Sequence, residues 1–117
     1  MFTMSLDPVA SNPDHYRVMF ENDRVRVLEY TDSPGQRTTP HEHPDSVMLT
    51  LSSFERRLHQ DGAHRDVSIS SGGAHWVPAQ VHAGENTGQS ATHTIFVELK
   101  EPAPPGPRVA GIGPSTV

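Results

Sequence analysis

Eight histidines, at positions 15, 41, 43, 59, 64, 75, 82 and 93, stand in a chain of 117 residues that contains no cysteine. Imidazole is the commonest metal ligand and the side chain that titrates near neutrality. A nitrogen-based metal site is therefore the first chemistry to test. His41 and His43 flank Glu42 in the run Thr39-Pro40-His41-Glu42-His43-Pro44. On a strand, residues two apart project from the same face, with Cα atoms about 6.5 to 7 Å apart. Two imidazoles placed so can share one ion, each nitrogen about 2.0 to 2.1 Å from a zinc. In a chain this rich in histidine such a pair also arises by chance, so the surrounding spacing has to decide. The missing cysteines exclude disulfides, Cys-ligated zinc, iron–sulfur clusters and thiol catalysis together.

The elements that would position these side chains read as strands. Eleven prolines and nine glycines punctuate the chain too often for long helices. From His15 onward Tyr16, Val18 and Phe20 alternate with Arg17 and Met19, a period of two. Val25 to Tyr30 forms a second strand, closed by the turn signal Asp32-Ser33-Pro34-Gly35. Val47 to Leu51 is a short apolar run of the buried-strand type. Phe54, Arg56 and Leu58 alternate before Asp61-Gly62, a hairpin turn, with Val67 and Ile69 on the return strand. His75 to Val77 is a brief strand stopped by Pro78. In the last strand Ile95, Val97 and Leu99 occupy one face, read as the inward one, and Thr94, Phe96 and Glu98 the other. The pattern predicts one all-β domain over residues 15–100, an antiparallel sandwich or small barrel. Residues 1–14 read as an extended N-terminal arm. Residues 101–117, rich in Pro and Gly, read as a disordered tail.

Within that frame Gly35 precedes His41 by five intervening residues, and Gly72 precedes Pro78 by five. His82 follows Pro78, and Asn86 follows His82 with three residues between. This order resembles the two motifs of the cupin superfamily, G-x5-H-x-H-x3–4-E-x6-G and G-x5-P-x-G-x2-H-x3-N. The resemblance spans roughly Tyr16 to Lys100. It implies a jelly-roll β-barrel whose two motifs bring their histidines together on neighbouring strands. The chain departs from the pattern twice. Val47 and Met48 occupy the places of the motif's glutamate ligand, and Gln80 replaces its glycine with one residue fewer before His82. What the resemblance then implies is a three-histidine set, His41, His43 and His82, holding one divalent ion. Iron or zinc is favoured, and nickel, manganese and copper are not distinguished. Three-histidine cupins include thiol and diketone dioxygenases, so a non-haem dioxygenase-type reaction on a small molecule is the most concrete expectation. A Lewis-acid isomerase, cyclase or lyase is the second class. A metal-free ligand-binding cupin is the third. The resemblance also implies a homodimer.

Two further side chains are catalytic candidates. His93 shares the parity of Ile95, Val97 and Leu99, which makes it a cavity-facing base or fourth ligand, or else an edge histidine bonded to water. Arg56 shares a face with Phe54 and Leu58, so its guanidinium either grips a substrate carboxylate or, if the parity slips at Ser52-Ser53, faces solvent. Asp45 is a candidate partner for an imidazole N–H, and Glu42 should point away from the histidines. Tyr16, Tyr30 and Trp76 wall a pocket or simply fill the core. Val47 continues an apolar run toward the inward face. Fourteen acidic residues against nine basic ones give a formal charge of −5, which argues against nucleic acid as a partner. No apolar run approaches a membrane span of about 20 residues. Residues 1–10 lack the basic start and apolar stretch of a secretory signal, and the expected location is cytoplasmic.

Overall fold

The computed structural model describes residues 5–102, 105 and 111–115. A single helical turn, α1 (Pro8–Ser11), precedes nine strands: β1 (Tyr16–Glu21), β2 (Val25–Asp32), β3 (His41–His43), β4 (Ser46–Thr50), β5 (Phe54–Gln60), β6 (Ala63–Ile69), β7 (Ala74–Val77), β8 (Gln80–Asn86) and β9 (Thr92–Leu99). All paired strands run antiparallel, in a five-stranded sheet of order β1-β2-β9-β4-β7 and a four-stranded sheet of order β3-β8-β5-β6. The predicted all-β jelly roll is what the chain adopts. The β5–β6 hairpin turns at Asp61 and Gly62, which take φ of 49° and 79°. Both lie in the left-handed region that two-residue hairpin loops require, and Asp-Gly supplies it.

The arm is not extended throughout. Asp7 caps α1 by accepting hydrogen bonds from the Val9 and Ala10 amides, with Pro8 at the start of the turn, where its missing N–H costs nothing.

Between the sheets the two faces carry an unusual division of residue types. Tyr16, Leu28, Tyr30, Met48, Phe54, Val77 and Phe96 form the apolar core. Around them Asp32, His41, His43, Ser46, Thr50, Arg56, His82, Asn86, Thr92, Thr94 and Glu98 are also buried. On β9 burial alternates, with Thr92, Thr94, Phe96 and Glu98 inside and His93, Ile95, Val97 and Leu99 outside. This reverses the parity read from the sequence. Apolar periodicity marks whichever face avoids water, and here the outer face of β9 is the more aliphatic one. The same inversion applies to β4, where Ser46, Met48 and Thr50 are buried and Val47 is not. Val47 pairs laterally with Val97 and Trp76 on the outer face.

The tail departs from expectation as well. Residues 111–115 lie against the jelly roll rather than being disordered. Arg65 Nη1 donates to the carbonyls of Ile112 and Pro114, at 2.7 and 2.8 Å. Gln80 exchanges two bonds with Gly113, and the Ser115 amide donates to Trp76 O. Gly113 is buried with φ 77°, and a Cβ there would meet Leu58 Cδ1 at 2.3 Å. Its lack of a side chain is what lets the segment close down. The remaining tail positions, 103–104, 106–110 and 116–117, lie outside the described residues.

Candidate metal centre

Strands β3 and β8 are neighbours, and His41 pairs directly across from His82. His43 is two residues along β3 on the same face, with Glu42 exposed between them. All three imidazoles are buried, at 2%, 0% and 8% exposure for His41, His43 and His82. Their ring centroids are 4.9 to 5.3 Å apart. One ring nitrogen from each lies within 4.8 Å of the other two.

Each ring is held through its Nδ1. That of His41 donates to Thr39 O at 2.8 Å, that of His43 to Glu98 Oε2 at 3.0 Å, and that of His82 to Gln80 Oε1 at 2.7 Å. All three partners are acceptors, so they place the ring protons on Nδ1 and leave Nε2 as the nitrogen with a lone pair. Burial, followed by the neighbouring His43, lowers the His41 pKa to about 4. Burial and the same cluster hold His82 well below its ordinary range. Both rings are therefore neutral at neutral pH, the form that ligates metal. Tyr16 Oη sits 3.2 Å from His41 Nε2 and 3.1 Å from His43 Nε2. Burial first, then Tyr30, raises its pKa well above 10, and so the phenol keeps its proton.

Behind His43 the support continues outward. Phe96 stacks on the ring at 4.8 Å. Glu98 accepts from Arg26 Nε at 2.9 Å, and Arg26 Nη2 donates to Asp7 at 2.7 Å. The carboxylate's charge is thus met by Arg26, and the arm is tied to a ring of the cluster through two ion pairs. Gln80 does the corresponding work for His82, while its other bonds hold Gly113 and the Pro78 carbonyl. The residue that breaks the cupin motif is the one that orients the third histidine.

The chain shares this architecture with solved proteins. A cupin domain from Bordetella pertussis Tohama I superposes with a TM-score of 0.69 at 23% identity, covering 74% of this chain and 92% of that one. This is a cupin fold. A protein with a double-stranded β-helix domain from Klebsiella pneumoniae matches at TM-score 0.58 and 25% identity, over 72% and 74% of the two chains. KdgF from Halomonas sp. matches at 0.51 and 19%, over 74% and 77%. No family model and no curated protein matches the sequence.

The other candidate residues fall differently within the cupin fold. Arg56 points inward, buried at 8% exposure, and the solvent-facing alternative does not hold. Its Nη1 pairs with Asp32 Oδ2 and also donates to Thr92 Oγ1 at 3.4 Å. The guanidinium lies 5.0 Å from the Tyr30 ring centroid and against Gly84, where a Cβ would come within 2.6 Å of Nη2. Asp32 also accepts from Tyr30 Oη and from Asn86 Nδ2, at 2.5 and 3.0 Å. Burial alone would raise the Asp32 pKa, but Arg56 and these donors hold it low. His93 does not reach the cluster. It lies on the outer face, half-exposed, bonded to Glu29 Oε2 at 2.9 Å, because the parity of β9 is inverted. Asp45 is no imidazole partner either, since its carboxylate accepts from the Ala79 amide.

Sequence reasoning missed Glu98, Gln80 and Asp32 as site residues. A lone acid inside an apolar strand was the available signal for Glu98. Asp32 was absorbed into a turn. Met48, buried and lining the interior cavity with Tyr16, His41 and His82, fills the place of the motif's glutamate. The cluster therefore brings no carboxylate of its own to an ion.

Proposed function

We propose that this cupin binds one divalent ion through Nε2 of His41, His43 and His82 and acts on a small molecule admitted to the adjoining cavity. One observation carries the reading. Three buried imidazoles, with one nitrogen from each within 4.8 Å of the other two, each spend Nδ1 on an acceptor, which leaves Nε2 for an ion. The donor set fits a first-row divalent metal by ligand type. Such an ion, when bound, supplies undiminished positive charge and open coordination positions. This chain's own residues would do the rest. Glu98, Gln80 and Thr39 O hold the rings, Phe96 fixes the plane of His43, and the apolar core excludes bulk water. A dioxygenase-type reaction on a chelating enol, thiol or diketone is the version we favour, because Met48 leaves the metal site without an anionic ligand.

The Lewis-acid alternative draws on a different observation. The Tyr16 hydroxyl, protonated and within 3.2 Å of two Nε2 atoms, is a proton donor placed where a polarised carbonyl would need one.

Oxygen uptake separates the two. Untagged protein is stripped of metal, reloaded with ferrous iron or zinc, and given small chelating enols, thiols and diketones. Oxygen consumption with iron and none with zinc supports the oxygenase reading. Substrate turnover with either metal and without oxygen supports the second.

A further inference from the structure

Thr94 sits in the middle of the interior. It is paired across from Tyr30 on β2 and Thr50 on β4, is 1% exposed, and lines the cavity. Its Oγ1 is buried without a hydrogen-bond partner among the described residues. Buried hydroxyls are nearly always satisfied, and one left open in a cavity calls for a ligand or water. Arg56 lines the same cavity. Its Nη1 is committed to Asp32 and Thr92, while Nε and Nη2, which pass over Gly84, have no acceptor among the described residues. Inward side chains of β9 connect the two regions in order, with Thr92 beside Arg56, then Thr94, then Phe96 stacked on His43.

We propose that the cavity receives a small carboxylate, its anionic oxygens taking hydrogen bonds from Thr94 Oγ1 and from the acceptor-free nitrogens of Arg56 while its other end reaches the histidine cluster. This names the ligand class for the site above and rests on the metal reading only for that second end. Size limits the class. The cavity measures about 50 Å³, and at roughly 10 to 15 Å³ per water it holds the equivalent of three to five waters. That suits an acid of roughly four to six non-hydrogen atoms rather than a sugar or a nucleotide. Charge sets the direction. Asp32 matches Arg56 and Arg26 matches Glu98, so the metal-free interior has little net charge and an added ion makes it cationic. Anion affinity should accordingly rise on metal loading.

Glycolate, a carboxylate with one hydroxyl, is a suitable probe, and glycolamide is its neutral control. Binding is followed by NMR titration of metal-free and zinc-loaded protein in wild type, Thr94→Val and Thr94→Ser. The expected result is binding of glycolate and not glycolamide, about tenfold weaker in the valine variant and restored by serine, at unchanged zinc affinity. The valine variant should also be at least as stable as wild type when free of ligand, because it removes an unsatisfied hydroxyl. Equal glycolate affinity in wild type and Thr94→Val, or equal binding of glycolamide, overturns the proposal. A His43→Ala variant separates this from the metal reading. If it retains zinc, the metal assignment fails while the Thr94 comparison still decides the anion site.

Discussion

Met48 sets the charge of the candidate centre. It is buried on the inward face of β4, while Val47 beside it faces outward, so of the two residues only Met48 can present a ligand to the histidines. Met48→Glu should tighten zinc binding, because a carboxylate adds both a ligand and opposite charge. Without metal the same variant should lose several kcal/mol of stability, roughly the cost of burying an unpaired acid, and added metal should restore it by mass action. Thermal melts with and without zinc test this, and equal melts would place Met48 away from the site. The histidines predict a pH dependence of their own. In metal-free protein the His41 pKa is lowered to about 4, against about 6.5 in an unfolded chain. Between those values the unfolded state binds the extra proton, so stability falls as pH drops from 6.5 toward 4, by about 3 kcal/mol from this ring. Urea unfolding at pH 7, 6 and 5 should show the fall, and His41→Gln should reduce it, leaving the share that comes from His82. The three ligand candidates were legible in the sequence because Gly, Pro and His spacing is a local signal. Arg56 was legible only as one of two alternatives, since strand parity alone does not say whether β5 shifts at Ser52-Ser53.

Burial followed the period-two pattern in β5, where Phe54, Arg56 and Leu58 share the inward face. The pattern was hidden in β8, where His82, Gly84 and Asn86 point inward and Val81 outward. A polar interior erases the signal that a strand reader relies on. The inversion of β9 has the same cause. Hence the cavity-facing alternative for His93 does not hold, and Glu98 was passed over. The tail escaped because its contacts are made by backbone carbonyls and amides, which leave no mark in the side-chain pattern. Arg65, Gln80 and Trp76 hold Ile112 to Ser115 by five hydrogen bonds. A chain ending at Ala110 should therefore melt about 10 °C lower, taking about 0.5 kcal/mol per bond and several degrees per kcal/mol. Gly113→Ala should produce part of that loss, since its Cβ would collide with Leu58. Melts within a degree or two of wild type for both variants would show that the segment contributes nothing to the fold.

For the molecule as a whole, the outer face of the five-stranded sheet carries an apolar row. Phe20, Val27, Val97, Val47 and Trp76 lie side by side in register, with Phe20 and Trp76 at 54% and 37% exposure. We propose that two copies of the chain pair through this face, since a two-fold axis would bury the row on both copies at once. Light scattering should then give twice the 12.8 kDa chain mass, and Val47→Glu should return it to a monomer without changing metal content. No helix among the described residues is long and apolar enough to cross a membrane. The central claim remains the ion. Metal analysis of untagged wild type and of a His43→Ala, His82→Ala double variant tests it most directly. The account predicts about one divalent ion per wild-type chain, as a three-imidazole site should hold, and essentially none in the variant. Stoichiometric metal in the double variant, or none in wild type after saturation with iron or zinc, would contradict it.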